Sequence, residues 1–219
     1  MIRLPVLPPS AEVEPRLHRI WVGSPTPEWV SAAWERQEHA LPWCEPYRWD
    51  DTTVRAHPAL GQVLATGTEF GLEWRSVCDL LRWAVGAFYG GIYLDSDIVV
   101  LDPPEIVGPW ACSQPESRDQ RVMSTGCWGM SRGHPAFAMV YESAGVALAR
   151  GSRNPHVVAG PRPWRAAVDA HPDITKIWGL SFRQSAAEAR AQREGRLDPA
   201  TLDRPPGTHF AHIDPEMTR

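Results

Sequence analysis

The sequence lacks several features that would assign it to a class at once. It has a single lysine, Lys176, and its formal net charge of -4 gives no electrostatic reason to expect nucleic acid as the main partner. No apolar run approaches the roughly 18 residues that indicate a transmembrane helix. Pro5, Pro8 and Pro9 interrupt the beginning of the chain, where a secretory signal peptide would be continuously apolar. We therefore expect a cytoplasmic protein.

Cysteine is scarce, and its spacing excludes two further classes. The four cysteines contain no Cys-x-x-Cys pair, and no histidine or cysteine lies at zinc-ligand spacing from them. We expect reduced, partly buried thiols rather than a zinc site or a disulfide framework. The cysteines are Cys44, Cys78, Cys112 and Cys127.

Proline and tryptophan are abundant, at 22 and 11 residues of a 219-residue chain. This length favours one domain, and the prolines predict short elements joined by irregular connections. We divide the chain into an extended lead (1–16), a main domain (17–182) and a polar C-terminal helix and tail (183–219). Most of the tryptophans are expected in the core, although indole faces also bind bases and sugar rings.

Short apolar strands alternate with helical patterns along the chain. Strands are predicted near 16–23, 46–49, 92–94, 98–101, 121–131 and 174–178. Helices are predicted from Pro27 to about His39, over 52–66 with an interruption at Pro58, over 73–89, from 133 to about 150 and over 162–170. This order predicts an α/β fold with a mostly parallel central sheet flanked by helices.

The segment Asp95-Ser96-Asp97 carries the clearest chemical signal. It follows the apolar strand 92–94, where acidic residues have no packing role. Two carboxylates at positions i and i+2 of an extended segment point to the same face and repel each other unless a cation lies between them. Oxygen ligands of this kind suit Mg²⁺ or Mn²⁺. The alternative is an ordinary turn, since Asp-x-Asp is common.

The helix before this strand carries charges on an otherwise apolar pattern. Arg75, Asp79 and Arg82 lie at i, i+4 and i+7, along one stripe of the helix. Buried charges are costly unless they are paired or functional. The stripe is therefore either a row of ion pairs facing solvent or part of a binding site, in which Asp79 accepts bonds from hydroxyl groups and Arg82 neutralises negative charge.

Together these segments resemble one known family. The runs Cys78-Asp79-Leu80-Leu81-Arg82-Trp83 and Tyr89 to Asp97 are similar to the signature of glycosyltransferases with a DXD-containing sugar-binding region. This family includes the yeast Golgi initiating mannosyltransferase, bacterial capsular polysaccharide transferases and, more distantly, clostridial glucosylating toxins. Weaker similarities are found at 18–23, at 47–51, at 126–135, at the pair Gly160-Pro161 and at 209–212. Cys78 departs from the family pattern, which has serine there.

The resemblance implies that residues 17–182 are a GT-A-like, nucleotide-sugar-binding catalytic domain. It also implies a hexosyltransferase activity with retention of anomeric configuration. It also implies a UDP- or GDP-sugar donor and Mn²⁺ or Mg²⁺ as cofactor. The implied metal ligands are Asp95, Asp97 and, as a candidate third ligand, His212. The implied catalytic residues are Asp79, Arg82 and Asp95. The implied donor contacts come from Trp21, which lies against the base in this family, and from Val22, Arg75, Asp79, Arg82, Tyr93, Asp95 and Ser96.

Two other functions fit parts of the pattern. A non-catalytic nucleotide-sugar-binding protein would keep the same site, and donor hydrolysis in the presence of Mn²⁺ would distinguish it from an enzyme. A phosphatase of the haloacid-dehalogenase type also places Asp-x-Asp after an apolar strand. That fold needs the motif at its first strand and a later lysine with an acidic pair, which Lys176 does not provide. The acceptor, the sugar and the oligomeric state are left open by the sequence.

Overall fold

The computed structural model describes the backbone of residues 3–8, 12–103, 108–117, 120–182 and 208–213. The strands are β1 (Arg16–Ile20), β2 (Glu45–Trp49), β3 (Gly91–Leu94), β4 (Ile98–Val100), β5 (Trp110–Ser117), β6 (Gln120–Met130), β7 (Thr175–Phe182) and β8 (Thr208–Ile213). The helices are α1 (Glu28–Ala40), α2 (Asp51–Ala56), α3 (Pro58–Glu69), α4 (Trp74–Tyr89), α5 (Pro135–Ala149), α6 (Pro155–Val158) and α7 (Pro161–Ala170).

The strands form one eight-stranded sheet in the order β2-β1-β3-β6-β5-β7-β8-β4. β1 pairs in parallel with both β2 and β3, and β7 pairs in parallel with β5 and β8. β6 runs antiparallel to β3 and β5, and β4 runs antiparallel to β8. The predicted α/β fold with a mostly parallel, helix-flanked sheet is therefore confirmed.

Local sequence explains where several helices begin and end. Pro58 occupies the first turn of α3, where its missing N–H costs nothing, so the expected interruption separates two helices. Asp50 caps α2 by accepting a hydrogen bond from the Thr53 amide. Gly90 ends α4 at φ 64°, a conformation that glycine adopts without strain.

Helix α4 lies in the centre of the molecule. All its residues from Asp79 to Ala87 are buried, including two charged ones. Trp83 of α4 packs against Trp164, with ring centroids 4.7 Å apart, and donates a hydrogen bond from Nε1 to the carbonyl of Ala159. Four tryptophans, Trp83, Trp110, Trp128 and Trp164, are almost completely buried and belong to the core.

Part of the segment assigned to the C-terminal tail belongs to the sheet. Residues 208–213 form β8, which lies between β7 and β4. Residues 183–207 and 214–219, where a polar helix and tail were expected, lie outside the described residues. Among the helices that the structure describes, none is long and apolar enough to cross a membrane.

Candidate active site

Three neighbouring parallel strands end at the same edge of the sheet. β2 ends before Asp50, β1 ends before Trp21 and β3 ends before Asp95. In the register of the sheet, His18 lies opposite both Tyr47 and Tyr93, so the three strands finish close to the same level. In open α/β sheets, ligands bind outside the carboxyl ends of the strands. A ligand site is therefore expected at this edge.

Asp95 is held in place from three directions. The Tyr93 hydroxyl donates to Asp95 Oδ1 over 2.6 Å, and Arg82 Nη2 lies 3.1 Å from the same oxygen. The Asp95 amide donates to the carbonyl of Gly126 on β6 over 2.8 Å. A side chain at Gly126 would collide with Asp95 Oδ2, so glycine leaves the room that this carboxylate occupies. The carboxylate is consequently fixed by its neighbours before any ligand binds.

Arg82 links helix α4 to the end of β3. Its Nη2 atom also lies 2.9 Å from Asp79 Oδ1, and the side chains of Arg82 and Asp79 are only 5% and 10% exposed. The guanidinium lies over the Tyr93 ring, 4.9 Å from its centroid. Arg82 Nε and Nη1 are buried and have no hydrogen-bond partner among the described residues. The solvent-facing interpretation of this stripe is therefore excluded for Asp79 and Arg82.

Burial sets the protonation properties of this cluster. Desolvation raises the pKa of Asp79 to about 6, although the Arg82 charge opposes the shift. Desolvation also raises the pKa of Tyr93 well above its usual value, so its hydroxyl remains a donor to Asp95. Burial alone would lower the pKa of Arg82, but the negative charges of Asp95 and Asp79 outweigh it and hold the pKa high. A permanent cation thus lies between two carboxylates.

The other residues expected around the Asp95-Ser96-Asp97 turn lie in different settings. Ser96 Oγ accepts a hydrogen bond from Trp34 Nε1 on α1 over 3.0 Å, and Asp97 is half-buried. Arg75 is exposed at the start of α4, where its positive charge acts to lower the pKa of Asp79. The backbone of His212 pairs with Ile98, next to the turn, but its side chain lies outside the described part of the chain.

Trp21 and Val22 follow β1 at the same edge. Val22 is buried in the core. The Trp21 indole contacts the edge of Trp29 on α1, with ring centroids 5.9 Å apart, and donates from Nε1 to Ser24 Oγ over 3.1 Å. Trp21 is half-buried, so part of its surface remains available to a ligand.

An open cleft of about 560 Å³ continues the edge past the ends of β1 and β2. One wall is the indole of Trp74, which is 44% exposed although it is large and apolar. The Gly23 amide donates to Asp51 Oδ2 over 2.7 Å and thereby joins the loop after β1 to the start of α2. The lining residues are Gly23, Ser24, Pro25, Thr26, Asp50, Asp51, Thr52, Arg55 and Trp74.

Sequence reasoning missed two parts of this site. Trp74 falls within the apolar helical pattern of 73–89 and is not among the expected site residues, whereas the structure places it at the cleft, at the start of α4. Trp34 and Gln37 of α1 also contact the acidic turn, and neither is among the expected site residues. The apolar pattern gives no sign that Trp74 is exposed, and the contacts of α1 depend on tertiary packing.

One three-residue group among the described residues could hold a metal ion. The ligand atoms of His134, His171 and Asp173 lie within 4.8 Å of one another. His134 Nδ1 accepts a hydrogen bond from the Ala136 amide, so Nε2 of the neutral ring carries the proton that it donates to Asp173 over 2.9 Å. An ion would have to displace that proton. The group also lies beyond the end of β6, at the sheet edge opposite Asp95, and it caps α5.

Comparison with solved structures agrees with this architecture. A protein described as "PaToxG Glycosyltransferase" superposes with a TM-score of 0.62 over 74% of this chain and 71% of its own, at 16% sequence identity. The chain has a glycosyltransferase fold. No protein-family description matches the sequence, and no curated protein does. At this identity the similarity establishes the glycosyltransferase fold alone, so the activity has to be argued from the side chains at the sheet edge.

Proposed function

We propose that the protein is a metal-dependent glycosyltransferase that transfers a hexose from a UDP- or GDP-sugar to an acceptor, with retention of configuration. The observation that carries the proposal is the buried bridge from Asp79 through Arg82 to Asp95 at the carboxyl edge of the sheet. Burying these charges is costly, and an apolar set of similar volume would pack at least as well. A ligand-binding role explains why these charged side chains are buried.

The residues at the acidic turn fit a divalent cation. Carboxylate oxygens of Asp95 and Asp97 are the hard ligands that Mn²⁺ and Mg²⁺ prefer. Hydrogen bonds from Tyr93 and Arg82 to Asp95 Oδ1 orient that carboxylate, as outer-shell groups do for metal ligands. When bound, the cation would offset the negative charge of the departing nucleotide diphosphate. His212 is proposed as a third ligand from the family resemblance only.

Arg82 and Asp79 would bind the transferred sugar. Arg82 Nε and Nη1, buried without a described partner, are donors available to sugar or phosphate oxygens. Asp79, ionised above pH of about 6, would accept hydrogen bonds from sugar hydroxyls. Burial of both groups strengthens these interactions, because little water competes for them. Tyr93 and Ser96 would complete the donor contacts, and Arg75 would add positive charge at the rim.

The nucleoside would occupy the cleft at the ends of β1 and β2. Trp74 offers an exposed indole face for stacking, and the family resemblance assigns the same role to Trp21. Trp74 and Arg82 are eight positions apart on α4, a separation of about 12 Å along the axis of the helix. A diphosphate between the nucleoside and the sugar spans a distance of this order.

Calorimetry of UDP and GDP binding, with Mn²⁺ and then with EDTA, tests the proposal. We expect one nucleotide to bind much more tightly with the metal ion than with EDTA, and Asp97→Asn to remove this gain in affinity while leaving the thermal transition unchanged. Asp102→Asn is the matched control, because Asp102 is an exposed carboxylate just beyond β4. A nucleotide affinity that is the same with Mn²⁺ and with EDTA in wild type, or a full gain from Mn²⁺ in the Asp97 variant, would contradict the metal assignment. Hydrolysis of the corresponding nucleotide-sugar with Mn²⁺ then separates an enzyme from a non-catalytic binding protein.

A further inference from the structure

Helix α1 contacts the acidic turn at three backbone or side-chain positions. Gln37 Nε2 donates to the carbonyl of Asp95 over 2.8 Å and to the carbonyl of Ile98 over 2.9 Å. Trp34, one turn earlier on the same face, donates to Ser96 Oγ over 3.0 Å. The turn is closed internally by the Ile98 amide, which donates to the Asp95 carbonyl over 3.0 Å. One carboxamide therefore joins both ends of the turn.

The position of Gln37 suits the bridge between the two carbonyls and has no other evident purpose. It is 2% exposed on a helix whose other buried residues are Val30, Ala33 and Trp34, so a polar side chain there has no packing advantage. Both Nε2 hydrogens are used on the two carbonyls. Methionine would fill the same space, but it would leave the Ile98 carbonyl without this donor and the turn without its bridge.

The helix that presents Gln37 is itself anchored to the sheet. Buried Arg19 of β1 donates to the Trp34 carbonyl over 3.3 Å and pairs with Glu38 of α1 over 2.6 Å. Arg48 of β2 pairs with the same Glu38 oxygen over 2.8 Å. α1 is thus a fixed support, and movement of the turn relative to Gln37 requires breaking the two hydrogen bonds that the Gln37 carboxamide donates.

We propose that Gln37 is a positioning residue for metal binding: it holds the backbone on both sides of Asp95-Ser96-Asp97 so that the two carboxylates are presented together to the cation. This inference rests on the proposed function, because it assigns a purpose to the turn that Gln37 holds. Gln37 touches neither metal nor substrate in this scheme. It acts through the backbone geometry of the residues that do, and Trp34 supports it through Ser96.

The test compares Gln37→Met with the control Val30→Ala. Val30 is fully buried on α1, and its truncation lowers stability through packing without touching the turn. We expect Gln37→Met to weaken Mn²⁺ affinity, measured with the bound nucleotide by electron paramagnetic resonance, by roughly 10- to 100-fold. Hydrogen exchange of residues 95–98 in the metal-free protein should also accelerate. Val30→Ala should change neither quantity, although its melting temperature falls.

The outcomes separate the two proposals. Wild-type protein that binds no Mn²⁺ with either nucleotide contradicts the proposed function, and the exchange measurement then still decides whether Gln37 holds the turn. Mn²⁺ affinity within about twofold of wild type in Gln37→Met, beside a metal-dependent wild type, overturns the positioning role alone. If Gln37→Met does not fold, Trp34→Phe is the second variant: it removes the indole hydrogen bond to Ser96 but keeps an aromatic ring beside Arg19 and Arg48. A loss of Mn²⁺ affinity supports the role of α1 in holding the turn, and an unchanged affinity contradicts it.

Discussion

At the scale of single residues, Arg82 is the group on which the candidate site depends most. It contacts Asp79, Asp95 and the face of Tyr93, all with the same guanidinium. A planar group with five donors can bridge two carboxylates and still present N–H groups to a ligand. Removing its charge would strand two acidic side chains in a buried setting, so truncation would confuse folding with function.

Arg82→Lys is therefore the informative substitution. An ammonium keeps the charge, but it does not stack on Tyr93 as the planar guanidinium does, and it lacks the further N–H groups at Nε and Nη1 that Arg82 can offer to the sugar donor. Hydrogen bonds to charged groups contribute about 1.5–3 kcal/mol each, so we expect roughly a 10- to 100-fold fall in kcat/KM for donor hydrolysis. The control is Arg48→Lys, at an exposed ion pair on β2. Equal kinetics in the two variants would contradict the role of Arg82.

At the scale of elements, strand β6 shapes the site because two of its positions are glycines without a side chain. Added Cβ atoms at Gly126 and Gly129 would both collide with a neighbour: the first with Asp95, the second with the indole of Trp110. Both alanine variants should lose stability. Only Gly126→Ala should also weaken Mn²⁺ affinity in calorimetry, because it displaces the proposed ligand. Equal Mn²⁺ affinities in the two variants would show that Asp95 tolerates the displacement.

The His18 side chain joins β1 to β2 and to the junction between α4 and β3, and it makes the stability of the fold depend on pH. It is fully buried, accepts a hydrogen bond from Trp49 Nε1 at Nδ1 and bonds through Nε2 to the Gly90 carbonyl. Desolvation lowers the pKa of His18 from 6.5 to about 4. The unfolded chain therefore binds a proton first as the pH falls, and the neutral ring contributes stability that is present above pH 6.5 and lost towards pH 4.

We expect urea denaturation to show this loss directly. The pKa difference corresponds to about 3 kcal/mol of unfolding free energy between the two limits. His18→Gln should be less stable at neutral pH but should lose less stability on acidification. Part of the pH dependence of stability will remain in this variant, because burial also lowers the pKa of His134. A variant with the full wild-type slope would exclude His18 as its source.

The elements also show what sequence could and could not predict. α4 and β3 are predictable because their signals are local in the sequence. A helical pattern of apolar residues ends at two glycines, and a short apolar strand then ends at an acidic pair. β5 was not predicted, because Trp110–Ser117 contains Pro115 and no β-branched residue and is held by pairing with β6 and β7. Asp79, Arg82 and Asp95 were expected in one site through a motif. Their bridge, and the support from Gln37, depend on packing between distant elements.

At the scale of the whole molecule, the parallel strands β2, β1 and β3 place two different binding surfaces in a row. The cleft beside Trp74 lies beyond β1 and β2, and the acidic turn lies beyond β3. α4 spans both, with Trp74 at its start and Arg82 further along. A ligand with a nucleoside at one end and a sugar at the other would contact each surface through different chemistry, since stacking needs no cation and diphosphate binding does.

This arrangement predicts that the two halves of the donor bind separably. Uridine or guanosine, whichever matches the donor, should bind weakly with or without Mn²⁺, whereas the corresponding diphosphate should gain affinity only with the ion. Trp74→Ala should lower the affinity for both ligands by a similar factor, because it removes a stacking surface that contributes about 1–3 kcal/mol per base. Asp97→Asn should leave nucleoside binding intact and remove only the gain from the diphosphate. The measurement is calorimetry of wild type, Trp74→Ala and Asp97→Asn with each of the two ligands, with the exposed Trp43→Ala as control. Nucleoside binding that requires Mn²⁺, or a Trp74 effect confined to the diphosphate, would mean that the base does not occupy the cleft.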